Sequence, residues 1–146
     1  MSLITASHNP PLTAPLDATV FEACDLMLKR GLGAMAVLNS DGSLAGIFTE
    51  RDVLRKVVPK KLNCETTTLR EVMTSPCVTI HTNRSVHDAI SEMLTNKVNH
   101  LILLDEGDRF VSIVSYRTLL GQEIENLHVE VDHLTAYIGS DGIGGD

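Results

Sequence analysis

The sequence has no tryptophan, two tyrosines and three phenylalanines, so aromatics make up only 3% of its 146 residues. Single-stranded nucleic acids are held largely by base stacking on aromatic side chains, and this chain offers few such platforms. Its net charge of −7 also opposes attraction to a phosphate backbone. Nucleic acid is therefore not an expected partner. Long apolar runs are missing too: none approaches the roughly 20 residues that span a bilayer, so no membrane association is expected. Met1 to Pro15 has neither the basic start nor the apolar stretch of a secretory signal. Met1-Ser2-Leu3 is compatible with a cloning remnant and carries no weight in the reading of the fold.

Cysteine is scarce. Cys24, Cys64 and Cys77 are odd in number and form no CxxC. That argues against a disulfide framework or a thiolate zinc site and fits a reducing, cytoplasmic setting. The six histidines form no HExxH, and His128 and His133 stand five apart, off one helical face. No metal site is expected. GxSxG, P-loop and GxGxxG motifs are absent, and no nucleophile–base pair is legible. The chain is not expected to be an enzyme, and no catalytic residue is assigned.

What is present is enough apolar material for a core, 43% against 21% charged, supplied by Leu, Val, Ile, Ala and Met. That material repeats. Shifting the chain by 66 residues aligns Pro10 with Pro76, Thr13 with Thr79, Val20 with Val86, Ala23 with Ala89 and Met27 with Met93. Leu38 then falls on Leu104, Ile47 on Ile113, Arg51 on Arg117 and Leu54 on Leu120.

Each copy reads as β-α-β-β-α. A short strand follows the proline. Thr19-Val-Phe-Glu22 and Ser85-Val-His-Asp88 have the form of capping boxes, which satisfy the free donors of a helix start. Apolar residues follow at helical spacing, from Val20 to Leu28 and from Val86 to Leu94. Two strands then flank a turn: Ser40-Asp41-Gly42 in the first copy, Glu106-Gly107-Asp108 in the second. A second helix begins near Glu50 and Tyr116. Units this small bury little alone, so the two are expected to pack sheet to sheet around one shared core. The expected divisions are 1–58, first repeat; 59–75, linker with a short helix at Thr68–Glu71; 76–122, second repeat; 123–138, amphipathic helix; and 139–146, flexible tail.

Gly46-Ile-Phe-Thr49-Glu-Arg-Asp52 resembles the motif of the CBS domain family: Gly, two apolar residues, Thr or Ser, two variable residues, then Asp. Glu71-Val-Met-Thr-Ser-Pro76 with Val78-Thr79 is similar to the usual start of a second CBS repeat. Val98-Asn99-His100-Leu101 is similar to the strand start after a repeat's first helix. The resemblance covers about residues 9 to 122 and implies a stand-alone tandem pair, or Bateman module. Its fold class is α+β, two β-α-β-β-α CBS repeats in pseudo-twofold arrangement with a C-terminal helical extension.

The resemblance further implies regulatory binding of AMP, ADP, ATP or S-adenosylmethionine between the repeats. It makes Thr49 and Asp52 polar anchors, Asp52 for the ribose hydroxyls and Thr49 for ribose or phosphate, with Arg51 beside them. Cys77, Val78 and Thr79 form the adenine wall, and Asn99 and His100 are phosphate contacts. An ionised Asp accepts two hydrogen bonds, which suits a ribose diol. Gly46 lets a ligand or another backbone come close.

The second copy departs from the motif: Ser112 stands for Gly46 and Thr118 for Asp52. Its cleft, of Leu12, Thr13, Ser115, Arg117 and Thr118, is expected to be weak or empty. Plainer readings stand beside these. Thr49 and Asp52 have the spacing of a helix cap. The basic residues Arg51, Arg55, Lys56, Lys60 and Lys61 also suit a solvated face, and His100 also suits packing. The rival function is a structural dimerisation or scaffold protein with degenerate, non-binding clefts.

Leu120, Ile124, Leu127, Val131, Leu134 and Ile138 are spaced 4, 3, 4, 3, 4, a heptad seam. This helix either packs on its own domain or extends to pair with another subunit; a homodimer is expected. An unidentified regulated protein is the other expected partner.

Overall fold

The computed structural model describes residues 2–140. The first repeat contains β1 (Thr13–Pro15), α1 (Val20–Arg30), β2 (Ala34–Leu38), β3 (Leu44–Thr49) and α2 (Glu50–Asp52), which opens into a π-helical segment, Val53–Val57. A linker with α3 (Leu69–Val72) leads to β4 (Thr79–His81), α4 (Val86–Asn96), β5 (His100–Leu104), β6 (Phe110–Ser115) and α5 (Tyr116–Ser140). The fold is α+β, as the repeat predicts.

The two sheets have orders β1-β2-β3 and β4-β5-β6. In each, the first pair is parallel and the second antiparallel, and the register repeats at the same offset as the sequence. Thr13 faces Ala36 and Thr79 faces Ile102; Ala34 faces Thr49 and His100 faces Ser115. Even the irregularity in the second pair recurs, between Val37 and Leu38 and between Leu103 and Leu104. Both capping boxes form: the Glu22 N–H donates to Thr19 Oγ1 at 3.2 Å and the Asp88 N–H to Ser85 Oγ at 3.0 Å. Gly31 ends α1 in the left-handed region, at φ 64°, where glycine carries no Cβ penalty.

One shared core is not what forms. Val20, Ala23, Met35, Val37, Phe48 and Leu69 pack beneath the helices of the first repeat, and Ile80, Ala89, Met93, Leu101 and Leu119 do so in the second. The sheet-to-sheet contact is a third, smaller cluster of Ala34, Ala36, Ile47, Ile102 and Ile113. Strands alternate their side chains between two faces, so β2 and β5 feed both kinds of core.

The N-terminal segment also corrects the sequence reading. Leu3 is fully buried in the second repeat's core. The His8 N–H donates to the Ile113 carbonyl at 2.9 Å, and Ser112 Oγ donates to the His8 carbonyl at 2.7 Å. The linker does the same for the first repeat: Ile47 and Thr74 exchange backbone bonds of 3.0 and 2.8 Å. Thr74 is thus the counterpart of His8. A Cβ on Gly46 would lie 2.7 Å from the Thr74 carbonyl oxygen, so a neighbouring backbone is what approaches this glycine.

The second helices of the two repeats differ greatly in length. Pro59, which has no N–H to donate, follows the π-helical segment; Glu125 stands at the matching position and α5 continues. Gly139 and Ser140 belong to this helix, whereas residues 141–146 of the expected tail lie outside the described residues. No described helix is long and apolar enough to cross a membrane.

Candidate ligand clefts

Two cavities flank the junction of the sheets. The first, of about 230 Å³, is lined by Thr49, Arg51, Asp52, Cys77, Val78, Asn99 and His100, residues up to 51 positions apart. Thr79 is not among its lining residues; it sits exposed on β4, a strand at one end of its sheet. Arg55, Lys56 and Lys97 join the lining, whereas Lys60 and Lys61 do not. The basic cluster therefore divides: its helical part faces the cleft and its loop part faces solvent.

Asp52 is the centre of this cleft's polar network and is buried. Its Oδ2 accepts the Thr49 N–H at 2.9 Å and the Thr49 hydroxyl at 3.3 Å. Its Oδ1 accepts the Thr74 hydroxyl at 2.8 Å and pairs with Lys56 Nζ at 3.1 Å. An ionised carboxylate offers about four lone-pair sites, so these partners saturate it. The cap reading of Thr49 and Asp52 is thus observed.

Lys56 Nζ also donates to the Val72 and Met73 carbonyls, both at 3.1 Å. One ammonium therefore ties the end of α3, and with it the linker, to the motif aspartate. Thr74 belongs to the Glu71–Pro76 segment, where the sequence assigns it no role, and Lys56 lies outside the CBS-like motif, though it follows Asp52 by one helical turn, a spacing that favours an ion pair. Arg51 reaches across the cleft mouth, donating to the Lys97 carbonyl at 2.6 Å.

The second cavity is the larger, at about 1000 Å³. Ser115, Arg117 and Thr118 line it as expected, but Leu12 and Thr13 do not. Leu12 turns into the first repeat's core and Thr13 is exposed. Their place is taken by His8, Gly31, Leu32 and Gly33, which the chain crossing brings in from segments without motif character. Thr118 repeats only part of the Asp52 network: its backbone N–H donates to Ser115 Oγ at 3.1 Å, and its hydroxyl donates to the Ser115 carbonyl at 3.0 Å. The carboxylate and its cation are replaced by Thr118 and, at the position matching Lys56, Gln122.

His100 and Asn99 line both cavities. Burial, reinforced by His8 and Arg51, pushes the His100 imidazole down to about 4. His8 is lowered by burial and by Arg30, and the two rings meet edge to face with centroids 6.2 Å apart. At neutral pH His100 is uncharged, so it offers a ligand one N–H and no positive charge. Cations come from Arg51, Arg55, Lys56 and Lys97 in the first cleft and from Arg117 in the second. Burial raises the Cys77 thiol, which keeps it a neutral wall of the first cleft. Among the described residues there is no His, Cys, Asp and Glu cluster that could hold a metal ion.

Comparison with known proteins agrees with this architecture. The sequence profile of the CBS domain matches twice, at residues 4–59 and 69–124. CBS domain-containing protein CBSCBSPB5 of Arabidopsis thaliana is 36% identical over 97 residues, which are 66% of this chain and 18% of that protein. The match thus spans less than a fifth of the relative's length. A conserved CBS domain protein from Thermoplasma acidophilum has a TM-score of 0.77 at 23% identity, covering 82% of this chain and 67% of its own. A CBS domain protein from Pyrobaculum aerophilum, solved in complex with AMP, has a TM-score of 0.73 at 22% identity, covering 81% of this chain and 89% of its own. The likeness to these two structures is one of fold.

Proposed function

The chain belongs to the CBS domain family as a pair of such domains, and we propose that its first cleft binds an adenosine-containing regulatory ligand of the AMP, ADP, ATP or S-adenosylmethionine type. One observation carries this reading. A single cavity gathers four cations (Arg51, Arg55, Lys56 and Lys97), a buried carboxylate and an apolar wall of Pro76, Cys77 and Val78, on a chain whose net charge is −7. Phosphate, ribose and base each find a matching surface there. The AMP-bound Pyrobaculum relative supports the choice of adenosine.

Ribose hydroxyls reach Asp52 by replacing Thr74 and Lys56, which leaves the Lys56 ammonium to meet phosphate. Since Lys56 also holds the linker carbonyls, occupancy of the cleft loosens the linker and shifts the repeats relative to one another. Such a shift requires a ligand that prefers one arrangement. The saturation of Asp52 gives weight to the rival reading, a homodimeric scaffold whose clefts stay unliganded.

Calorimetric titration with AMP, ADP, ATP and S-adenosylmethionine separates the two readings. Binding at about one site per chain, lost in Lys56→Met and Asp52→Asn, supports the sensor. A ligand at 100 times its dissociation constant stabilises the fold by about 2.7 kcal/mol, which thermal unfolding detects. No binding by any of the four compounds at millimolar concentration overturns the sensor and favours the scaffold.

A further inference from the structure

We propose that α5 forms a parallel, two-stranded coiled coil with α5 of a second copy of this chain, an inference that rests on the homodimer reading. The helix does not pack back on its own domain beyond its first turns. Leu127, Val131 and Leu134 are 55, 58 and 60% exposed, and Ile124 and Ile138 are exposed as well. The seam from Leu120 to Ile138 is about 28 Å long at 1.5 Å rise per residue. Most helical stability in proteins comes from packing an amphipathic face, and among the described residues this face lies exposed beyond Leu120.

The residue types along the seam select its occupant. Spacing assigns Ile124, Val131 and Ile138 to the a positions and Leu120, Leu127 and Leu134 to the d positions. β-Branched residues at every a and leucine at every d favour two parallel strands over higher oligomers. A generic apolar groove on another protein imposes no such alternation.

The flanking residues set the orientation. Glu123 and Glu130 occupy g, and His128 and Thr135 occupy e. Parallel helices bring g of one chain to e of the next heptad on the other, so Glu123 meets His128 and Glu130 meets Thr135. Antiparallel helices set g against g and bring Glu130 to its own copy, which like-charge repulsion opposes. A parallel pair also closes by a twofold axis along the coil.

The test uses this chain with its native cysteines replaced by alanine. Ile124→Cys and Ile138→Cys, at opposite ends of the seam, are each expected to cross-link to their own copy under mild oxidation, because only parallel, in-register helices juxtapose identical a positions at both ends. Cross-linking in a mixture of Leu120→Cys and Ile138→Cys chains, but in neither variant alone, means antiparallel helices and overturns the proposal. Sedimentation of the otherwise native chain covers the case in which the cysteine-free protein does not fold. There, Leu127→Asp with Leu134→Asp is expected to weaken dimerisation at least about 100-fold. A dimer that survives this double change keeps the homodimer reading, through another face, and overturns the coiled coil. A native chain that sediments as a monomer at tens of micromolar overturns both.

Discussion

Thr74 donates its hydroxyl to Asp52 Oδ1 at 2.8 Å, so a linker residue completes the coordination of the motif carboxylate. Thr74→Val removes that donor and is expected to cost about 1 kcal/mol in urea unfolding. It also opens one acceptor site on Asp52, so affinity for AMP should hold or rise. Asp52→Asn is expected to cost more, about 1–3 kcal/mol, because an amide offers fewer acceptor sites and leaves Lys56 without its anion. Equal stability losses in the two variants contradict this ranking.

Gly46→Ala is expected to destabilise the fold by about 1–3 kcal/mol, the range for overpacking. The added methyl meets the Thr74 carbonyl oxygen at 2.7 Å and Met73 Sδ at 2.9 Å, and backbone yields less readily than a side chain. Ser112, at the matching position, instead donates to the His8 carbonyl. Ser112→Ala should therefore cost about 1 kcal/mol through that lost bond. Denaturant midpoints of the two variants give the comparison directly.

Leu3→Ala is expected to cost about 2–5 kcal/mol, since its side chain is fully buried among Ala6, Ile80 and Val114. Leu28→Ala, at a position 83% exposed, is the control and should change stability little. Similar thermal midpoints for both variants contradict the burial of the N-terminal segment.

Stability is expected to fall with acidification between pH 6.5 and about 4 through His100. The unfolded imidazole takes up a proton near its ordinary value, whereas the folded one resists until about 4. In that window the unfolded state holds more protons, so the contribution is fully present above pH 6.5, declines on acidification and levels off below about 4. At 1.36 kcal/mol per pKa unit the whole effect is on the order of 3 kcal/mol. His100→Gln should flatten this part of the profile in urea unfolding across pH, leaving the contribution of His8, which is lowered too and acts in the same direction.

Much of the architecture follows from sequence-local chemistry. Capping residues, helical apolar spacing, turn glycines and the 66-residue offset act over a few residues or are copied between halves. The offset consequently survives in the strand register pair by pair. The seam of α5 was legible for the same reason, because heptad spacing is a property of one helix. Motif spacing likewise brought Thr49 and Asp52 to the start of α2. The burial of Leu3, the pairing of Thr74 with Asp52, the place of His8 in the second cleft and the division of the core into three parts were not legible. Each depends on segments far apart in sequence crossing from one repeat to the other. No local pattern marks a threonine that donates across 22 residues or a leucine that fills the core of a distant repeat. Tertiary packing alone decides them, because a buried polar group takes whichever partner the folded backbone sets within hydrogen-bond reach.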